Sequence, residues 1–480
     1  MSESDSNLTS GEGVSEPVES AGSRGLVGKI KNHRLAQAMQ GDGLRAKALR
    51  GSGWTIAGFG ASQVLRLGSN LILTRLLFPE AFGLMALAQV FLQGLNMLSD
   101  IGVGPSIIQN KRGDDPNFLA TAWTMQVIRG FALFLGMCAL AYPASLFYEE
   151  PVLFPILILI GTTAVVQGFR SIGMATASRK MALGRLTMID LVSQGVGIAT
   201  MIVWAWFYPT VWALVAGGVV VSIIRVVLGH LYLASAGNRF HFERSAAREI
   251  FHFGKWIFVA TAMTYFGGQG LRLVQGGLVP MDVLGVISIA GMFGIMVDQL
   301  IKKIGGGVLF PAFARIHLER PENLVMKLRE ARTKLFLMSF PLFGFLIVFG
   351  RDLITLMYDE RYHSAGLFLL IMATGSAIAS QRTPFGMVLI ATGDSFGHAV
   401  IMVVTAVSRI AAVVVGYKLS GVVGMLLADI LAQAVIYPFE AWRLHRLGLW
   451  FPRFDVAVFA VYFALGMGSF LVGPIIFVSS

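Results

Sequence analysis

Seven arginines, Arg66, Arg129, Arg170, Arg225, Arg272, Arg382 and Arg409, lie inside long apolar stretches of this chain. If those stretches cross a bilayer, each unpartnered cation costs about 2.5–3.5 kcal/mol on insertion scales, so it needs a task or a partner. Four acids, Asp100, Asp190, Asp298 and Asp429, are counted in the same stretches, too few to neutralise seven arginines. The guanidinium is a permanent, planar charge whose fork matches carboxylate and phosphate oxygens. The chemistry expected is therefore recognition of an anion from outside the chain. Arg66, Arg272, Arg382 and Arg409 are the foremost candidates, with Arg129, Arg225, Gln63 and Gln269 as further cavity residues. Arg382 gains from Gln381, Thr383 and Pro384 beside it, since a mid-span proline removes a backbone bond and kinks the helix there. Arg170 stands close to the cytoplasmic end of its stretch and reads as a snorkelling residue. Asp100 and Asp298 either titrate to couple ion flow or neutralise a nearby arginine.

Other chemistries lack their residues. Eight histidines are scattered without a His-Glu-x-x-His pattern, and Cys138 is the single cysteine, so neither a metal site nor a disulfide is expected. No Gly-x-x-x-x-Gly-Lys-Ser/Thr loop occurs, which excludes ATP hydrolysis by this chain. No catalytic residue, cofactor or nucleic-acid partner is expected. Trp204, Trp206, Tyr208 and Trp212 cluster at a span end and read as an interfacial belt.

The elements that must hold these arginines follow from composition. Over 480 residues the chain is 55% hydrophobic and 14% charged, with a mean hydropathy of +0.70. This is the profile of an all-α polytopic membrane protein. Residues 1–23 are rich in Ser, Gly and Glu and are expected to be disordered; 24–50 are basic, either lying on an anionic leaflet or forming a solvated linker. No signal-peptide pattern opens the chain, so the tail is expected to be retained. From Ser52 on, thirteen apolar runs of spanning length are expected at 52–77, 82–109, 118–142, 152–178, 184–207, 211–236, 252–279, 283–304, 333–357, 364–391, 395–417, 421–442 and 455–477. Alternate loops carry the cations, including Lys111, Arg179, Arg244 and the segment from Lys302 to Lys334, while the intervening loops are nearly bare. By the positive-inside rule the amino terminus is cytoplasmic.

The expected organisation is a tail over 1–50, a six-helix lobe over 51–236, a connection at 237–254, and a second six-helix lobe over 252–442. An amphipathic cytoplasmic linker at 305–332 lies within the interval 237–332, and an extra span at 455–477 follows. Gly102 with Gly104, and Gly305 to Gly307, close the second and eighth spans. An internal repeat supports two lobes: Gln63 to Leu67 and Gln269 to Leu273 both read Gln-x-Leu-Arg-Leu. Each is followed by a turn with Pro, an acid and Gly, at Pro79 to Gly83 and at Pro280 to Gly285. Parallel repeats place a substrate site between the halves, where Arg66 and Arg272 would face each other.

The stretch LILTRLLFPEAFGLMALAQ at 71–89 resembles the first-to-second-helix turn of Wzx-type flippases, the polysaccharide-transporter branch of the multidrug/oligosaccharidyl-lipid/polysaccharide exporter superfamily. LFPAFARI at 309–316, FGRDLITLMYDERYHSAGLFLLIMA at 349–373 and the Gly421 to Gly424 turn are similar as well. The resemblance covers about residues 50–445. It implies twelve core helices in two lobes, an inner-membrane location, and flipping of an undecaprenyl-diphosphate-linked oligosaccharide to the periplasmic face for cell-surface polysaccharide such as exopolysaccharide or lipopolysaccharide. Its partners would be that lipid, the membrane, a polysaccharide polymerase and export machinery. The family often has an acid before the arginine of the seventh helix; Leu271 stands there, which removes the basis for cation coupling at that position. A diphosphate suits an arginine-lined cavity. The alternatives are a cation-coupled multidrug or metabolite antiporter of the same superfamily, which would want acids in the cavity, and a membrane polymerase or ligase, which would want a large periplasmic loop.

The alternation of loop charge gives a direct test. Cysteines at Lys111, Arg179, Arg244 and Arg320 are expected to be shielded from an impermeant reagent added outside the cell, and cysteines at Glu149 and Arg361 to react. Strong labelling at position 244 would overturn the topology.

Overall fold

The computed structural model describes residues 44–100, 102–233, 235, 237–252, 265, 269–304, 309–319 and 321–477. The tail before Leu44, most of the seventh expected span, Gly305 to Gly307 and Arg320 lie outside the described residues. Within them the secondary structure is helical, without a strand. In chain order the longer elements are α1 (Leu44–Leu76), α2 (Pro79–Leu98), α3 (Val103–Gln109), α4 (Pro116–Phe147), α5 (Leu153–Gly168), α6 (Gly173–Arg179), α7 (Leu183–Phe207) and α8 (Trp212–Tyr232). There follow α9 (Gly270–Leu278), α10 (Met281–Ile304), α11 (Phe310–Glu319), α12 (Leu324–Met357), α13 (Ser364–Ser380), α14 (Thr383–Ala391), α15 (Ser395–Arg446) and α16 (Pro452–Phe477). Proline opens α2 and α4, where its missing N–H is no loss, and Asp115 caps α4 by accepting from the Asn117 amide.

Among the described residues nine helices are long and apolar enough to cross a membrane, or ten if α5 and α6, bent by 64° at their junction, make one span. The difference from the thirteen expected has three sources. Helix α1 is absent from that set of nine, and the seventh expected span lies largely outside the described residues. The eleventh and twelfth runs are merged in α15, which breaks at Ser420 and Gly421; the positive φ of 59° at Gly421 is one that glycine alone adopts freely.

Two groups of helices emerge from the contacts. In the first, α4 packs on α5, α5 on α8, and α7 on both α8 and α1; in the second, α13 is surrounded by α10, α12, α15 and α16. The strongest junction between them is α2 on α10. There the backbones meet reciprocally. A Cβ on Gly83 would lie 1.9 Å from the Met281 carbonyl oxygen, and a Cβ on Gly285 would lie 1.9 Å from the Pro79 carbonyl oxygen. Only glycine permits this approach from both sides.

Tyrosines reinforce the same end of the junction. Tyr148, the residue closing α4, donates to the Leu273 carbonyl at 3.1 Å and packs edge-on against Phe91. Tyr362 crosses the other way to the Leu77 carbonyl at 3.0 Å and packs edge-on against Phe82. Tyr358, closing α12, meets Phe293 as Tyr148 meets Phe91. Tyrosine suits the place of Tyr362 because its ring is apolar while its hydroxyl satisfies the Leu77 carbonyl just past the end of α1.

Two ionic clusters fix the periphery. Arg112 donates to Asp115 at 2.7 Å and to Glu243 at 2.9 Å, binding the α3–α4 loop to the segment before the helix at 244–252. These hydrogen bonds raise the Arg112 guanidinium further above its ordinary range and hold both carboxyls below theirs. At the carboxyl end Arg332 of α12 pairs with Asp455 of α16, both essentially unexposed, between the rings of Phe385 and Phe454. The Tyr437 hydroxyl donates to Asp455 at 2.7 Å and accepts from Trp450 at 3.0 Å. This buried pair fastens α16 to the second group, and removing one partner leaves a charge stranded.

Because Gly83 and Gly285 touch backbone rather than flexible side chains, Gly83→Val must wedge α2 from α10. Overpacking of this kind costs typically about 1–3 kcal/mol. In a Cys138→Ser background, Ser288→Cys is expected to gain reactivity toward a bulky thiol reagent when Gly83→Val is added. Unchanged reactivity would show that the junction yields elsewhere.

Candidate anion-binding site

A polar cavity of about 470 Å³ beside Arg66 opens within the first group, between α1, α7 and α8. Ser62, Arg66, Asp190, Gln194 and Arg225 supply its polar wall. Ser62 donates to Gln194 Oε1 at 2.7 Å, and Gln194 Nε2 returns a bond to the Ser62 carbonyl at 3.2 Å, so α1 and α7 are locked in register. Arg225 Nε lies 3.0 Å from Asp190 Oδ1, though not aligned as a hydrogen bond. Arg66 is exposed to the cavity, and its guanidinium has no partner among the described residues. One acid therefore faces two arginines.

More positive charge stands close by. Helix α5 stops at Gly168 and α6 restarts at Gly173, and Arg170 sits in the break. Gln126 of α4 caps the broken end by donating to the Gly168 and Arg170 carbonyls at 2.9 and 3.0 Å. The Arg170 guanidinium has neither a hydrogen bond nor an ion pair among the described residues, and the charges acting on it are Arg225, Asp190 and Arg129. Arg129 finds only neutral acceptors, the Ser99 hydroxyl at 3.1 Å and the Asn96 carbonyl at 2.6 Å, with the Asp100 charge at longer range.

The second group is different. Arg382 makes a bidentate pair with Glu440 at 2.6 and 2.5 Å, and Arg409 makes one with Asp429 at 2.7 and 2.8 Å. The count of four acids within the apolar stretches omits Asp352, Asp455 and Glu440; Glu440 lies two residues inside the end of the twelfth run and reaches Arg382 through the path of α15 past α14. The expected kink at Pro384 also shifts. The helix breaks at Gln381 and Arg382, and α14 restarts with Pro384 in its first turn, the position its ring tolerates. Arg382 and Arg409 are thus already neutralised, so the cation surplus belongs to the first group and to Arg272.

Arg272 lines a cavity of about 30 Å³ at the α2–α10 junction with Gln275 and Ser288, and its side chain has no partner among the described residues. Arg66 lines the cavity of about 470 Å³ and Arg272 this smaller one. Gln63 donates to Gln299 of α10 at 3.3 Å, which ties the groups together, and Gln269 Oε1 is buried without a partner. Asp298 pairs with Lys302 one turn on at 2.7 Å, and Asp100 accepts from the Gly102 amide at 2.9 Å. Both acids have local partners. Another cavity, about 270 Å³ between α13, α15 and α16, is walled by residues such as Leu370, Leu431, Phe463 and Met467 and offers no charge to an anion. No group of His, Cys, Asp and Glu among the described residues is arranged to hold a metal ion.

Sequence reasoning set Arg170 aside and did not find the break that carries it. The signal was present in Gln167, Gly168 and Ser171, small or polar residues in an otherwise apolar run, but it does not by itself distinguish a break from a polar stripe.

Comparison with known proteins agrees with this architecture. The family model described as polysaccharide biosynthesis protein matches residues 72–366. The lipopolysaccharide biosynthesis protein WzxC of Escherichia coli is 24% identical over 441 residues, 88% of each chain. The succinoglycan biosynthesis transport protein ExoT of Rhizobium meliloti is 20% identical over 70% of this chain and 67% of its own. Among solved structures, an inward-facing multidrug resistance transporter of the MATE family superposes with a TM-score of 0.62 at 13% identity, over 81% of this chain and 95% of its own. The lipid II flippase MurJ in an inward closed conformation gives 0.61 at 15%, over 88% and 98%. At these identities the structural likeness speaks for the fold alone. The family match covers more than half of the chain, which is therefore a multi-pass membrane transporter, not an enzyme, and belongs to the polysaccharide biosynthesis protein family in the Wzx-type branch of its exporter superfamily.

Proposed function

We propose that this transporter moves an undecaprenyl-diphosphate-linked oligosaccharide from the cytoplasmic to the periplasmic leaflet of a bacterial inner membrane by alternating access. The observation that carries the reading is the set of arginines without an acid of their own, Arg66 and Arg272, together with Arg225, whose one acid is shared with that cavity. Such cations are costly in a bilayer until an anion arrives, and a diphosphate carries the charge and the oxygen geometry to meet them. The names of the relatives, for lipopolysaccharide and succinoglycan synthesis and for a lipid II flippase, fit cargo of this class.

In this mechanism the head group enters the cavity of the first group from the cytoplasmic side while the polyprenyl tail stays in lipid. Arg66 and Arg225 bind the diphosphate. The two groups of helices act as lobes of an internal repeat, a reading supported by the reciprocal contact of Gly83 and Gly285 and by the crossed tyrosines. That contact closes the periplasmic end, and its separation releases the sugars outward to a polymerase and export machinery. The amino terminus is cytoplasmic. Arg382 and Arg409 hold the second lobe together through Glu440 and Asp429.

A drug antiporter of the same fold is disfavoured by charge: a cationic drug would meet more arginines than acids in the first lobe. Deletion of the gene is expected to leave lipid-linked diphosphate oligosaccharide on the cytoplasmic leaflet without changing sensitivity to cationic dyes; the reverse pair of outcomes would establish the antiporter. Arg66→Ala and Arg272→Ala should each abolish glycan export at normal protein abundance, with lysine restoring only part because it lacks the fork. Export at the parent level in both would sink the anion-binding reading.

The paired arginines predict a different phenotype. Arg382→Ala strands Glu440, which is 7% exposed, and breaking such a buried pair costs about 3–5 kcal/mol. Its effect should appear as lowered thermal stability in detergent, relieved in Arg382→Met combined with Glu440→Leu. A melting temperature unmoved by Arg382→Ala would refute the structural role.

A further inference from the structure

After α8 the chain turns back across the first group. Residues 237–243 form a strap over the opening turns of α4, and the helix at 244–252 follows. Gly237 lets the strap press on α4, since a Cβ there would lie 2.6 Å from that of Leu119. Asn238 donates to the Ser171 hydroxyl at 2.9 Å and accepts from the Ile172 amide at 3.0 Å. The amides of His241 and Glu243 donate to the hydroxyls of Thr124 and Thr121 at 3.0 and 3.1 Å. The strap is therefore held largely by its backbone, and its phenylalanines stay outside: Phe240 is 68% exposed and Phe242 57%.

The helix at 244–252 divides its residues by face. Ala246 and Ile250 are wholly buried in the cluster of Ile107, Phe118 and Trp123. On the opposite side Arg244, Arg248 and Phe251 follow one another at four- and three-residue spacing, which makes a single stripe, and all three are exposed. The acids beside them are already engaged: Arg112 donates to Glu243 and Glu249, and Asn110 donates to Glu249 at 2.8 Å. Among the described residues neither Arg244 nor Arg248 has a hydrogen bond or an ion pair, and Arg239 has only the neutral Asn117 side chain, at 2.9 Å.

The position of this surface says what meets it. It lies where α4 begins and α8 ends, two helices long and apolar enough to cross a membrane, and beside the exposed Leu231 and Tyr232 of α8. That level is the boundary between acyl chains and head groups, where a ring can enter hydrocarbon while a guanidinium stays with phosphate. We propose that the outward face of residues 239–252 is a docking surface for anionic phospholipid. Phe240, Phe242 and Phe251 enter the boundary, and Arg239, Arg244 and Arg248 take the phosphates and the net negative charge of the leaflet. The connection then holds the first group to the plane of the bilayer. This goes beyond the flippase reading and does not depend on the cargo.

The test uses the full chain with Cys138→Ser and Phe242→Cys, labelled with bimane, in nanodiscs of equal phosphatidylcholine and phosphatidylglycerol. Bromine is placed on the acyl chains of one lipid or of the other, so that quenching reports which lipid touches the strap. Both should quench, and brominated phosphatidylglycerol more strongly. A cation at an anionic surface favours it about fivefold, so Arg244→Gln with Arg248→Gln should abolish the preference while leaving the label in lipid. High salt should weaken it in the parent, because exposed charges are screened. A label at Phe251→Cys should behave in the same way. Absence of quenching by either lipid at both positions would place this face in water and overturn the proposal. Equal quenching in the parent, or a preference that survives the double substitution, would overturn it as well, and none of these outcomes bears on glycan export.

Discussion

A guanidinium within a bilayer must be answered by an anion, and how each arginine is answered organises the rest of this molecule. Arg332 is answered by Asp455, and the pair fastens α16 to its neighbours. Arg382 and Arg409 are answered by Glu440 and Asp429, which draw the two stretches of α15 against the break before α14 and against each other. Arg66, Arg170 and Arg272 have no acid, and they stand at cavities or at a helix break. The same side chain serves as a structural tie where a carboxylate is supplied and, in the proposed mechanism, as a binding group where it is withheld.

This division gives the two groups of helices unequal duties. Counting arginines and acids in the first group, Arg66, Arg129, Arg170 and Arg225 face Asp100 and Asp190. The second group pairs Arg332, Arg382 and Arg409 with carboxylates and leaves Arg272 unpaired at the junction. The proposed cargo, with a charged head and uncharged sugars, calls for that asymmetry: strong, oriented donors for the head, and surfaces that do not hold the remainder too tightly. Tight binding of every part would leave no differential affinity with which to drive the change of state.

The junction of α2 and α10 supplies the mechanical counterpart. Backbone against backbone at Gly83 and Gly285 leaves no side chain to rearrange, so the contact is either made or broken. The crossed hydroxyls of Tyr148 and Tyr362 add hydrogen bonds that water can replace when the halves part. Such a closure is firm while dry and is lost at modest cost once wetted, as a reversible gate requires.

Hydropathy made the helical class and the unusual arginines legible in the sequence alone, because the bilayer punishes each polar residue locally, but it did not give the number of spans. Arg66 and Arg272 were visible for that reason. Partnership was not. Glu440 is 58 residues from Arg382, and no local pattern tells that α15 returns to it. Arg66 and Arg272, alike in their sequence surroundings, line different cavities. The cost of each charge is paid residue by residue and can be read along the chain; its compensation comes from helices distant in sequence, and only the tertiary structure decided which arginines remained free.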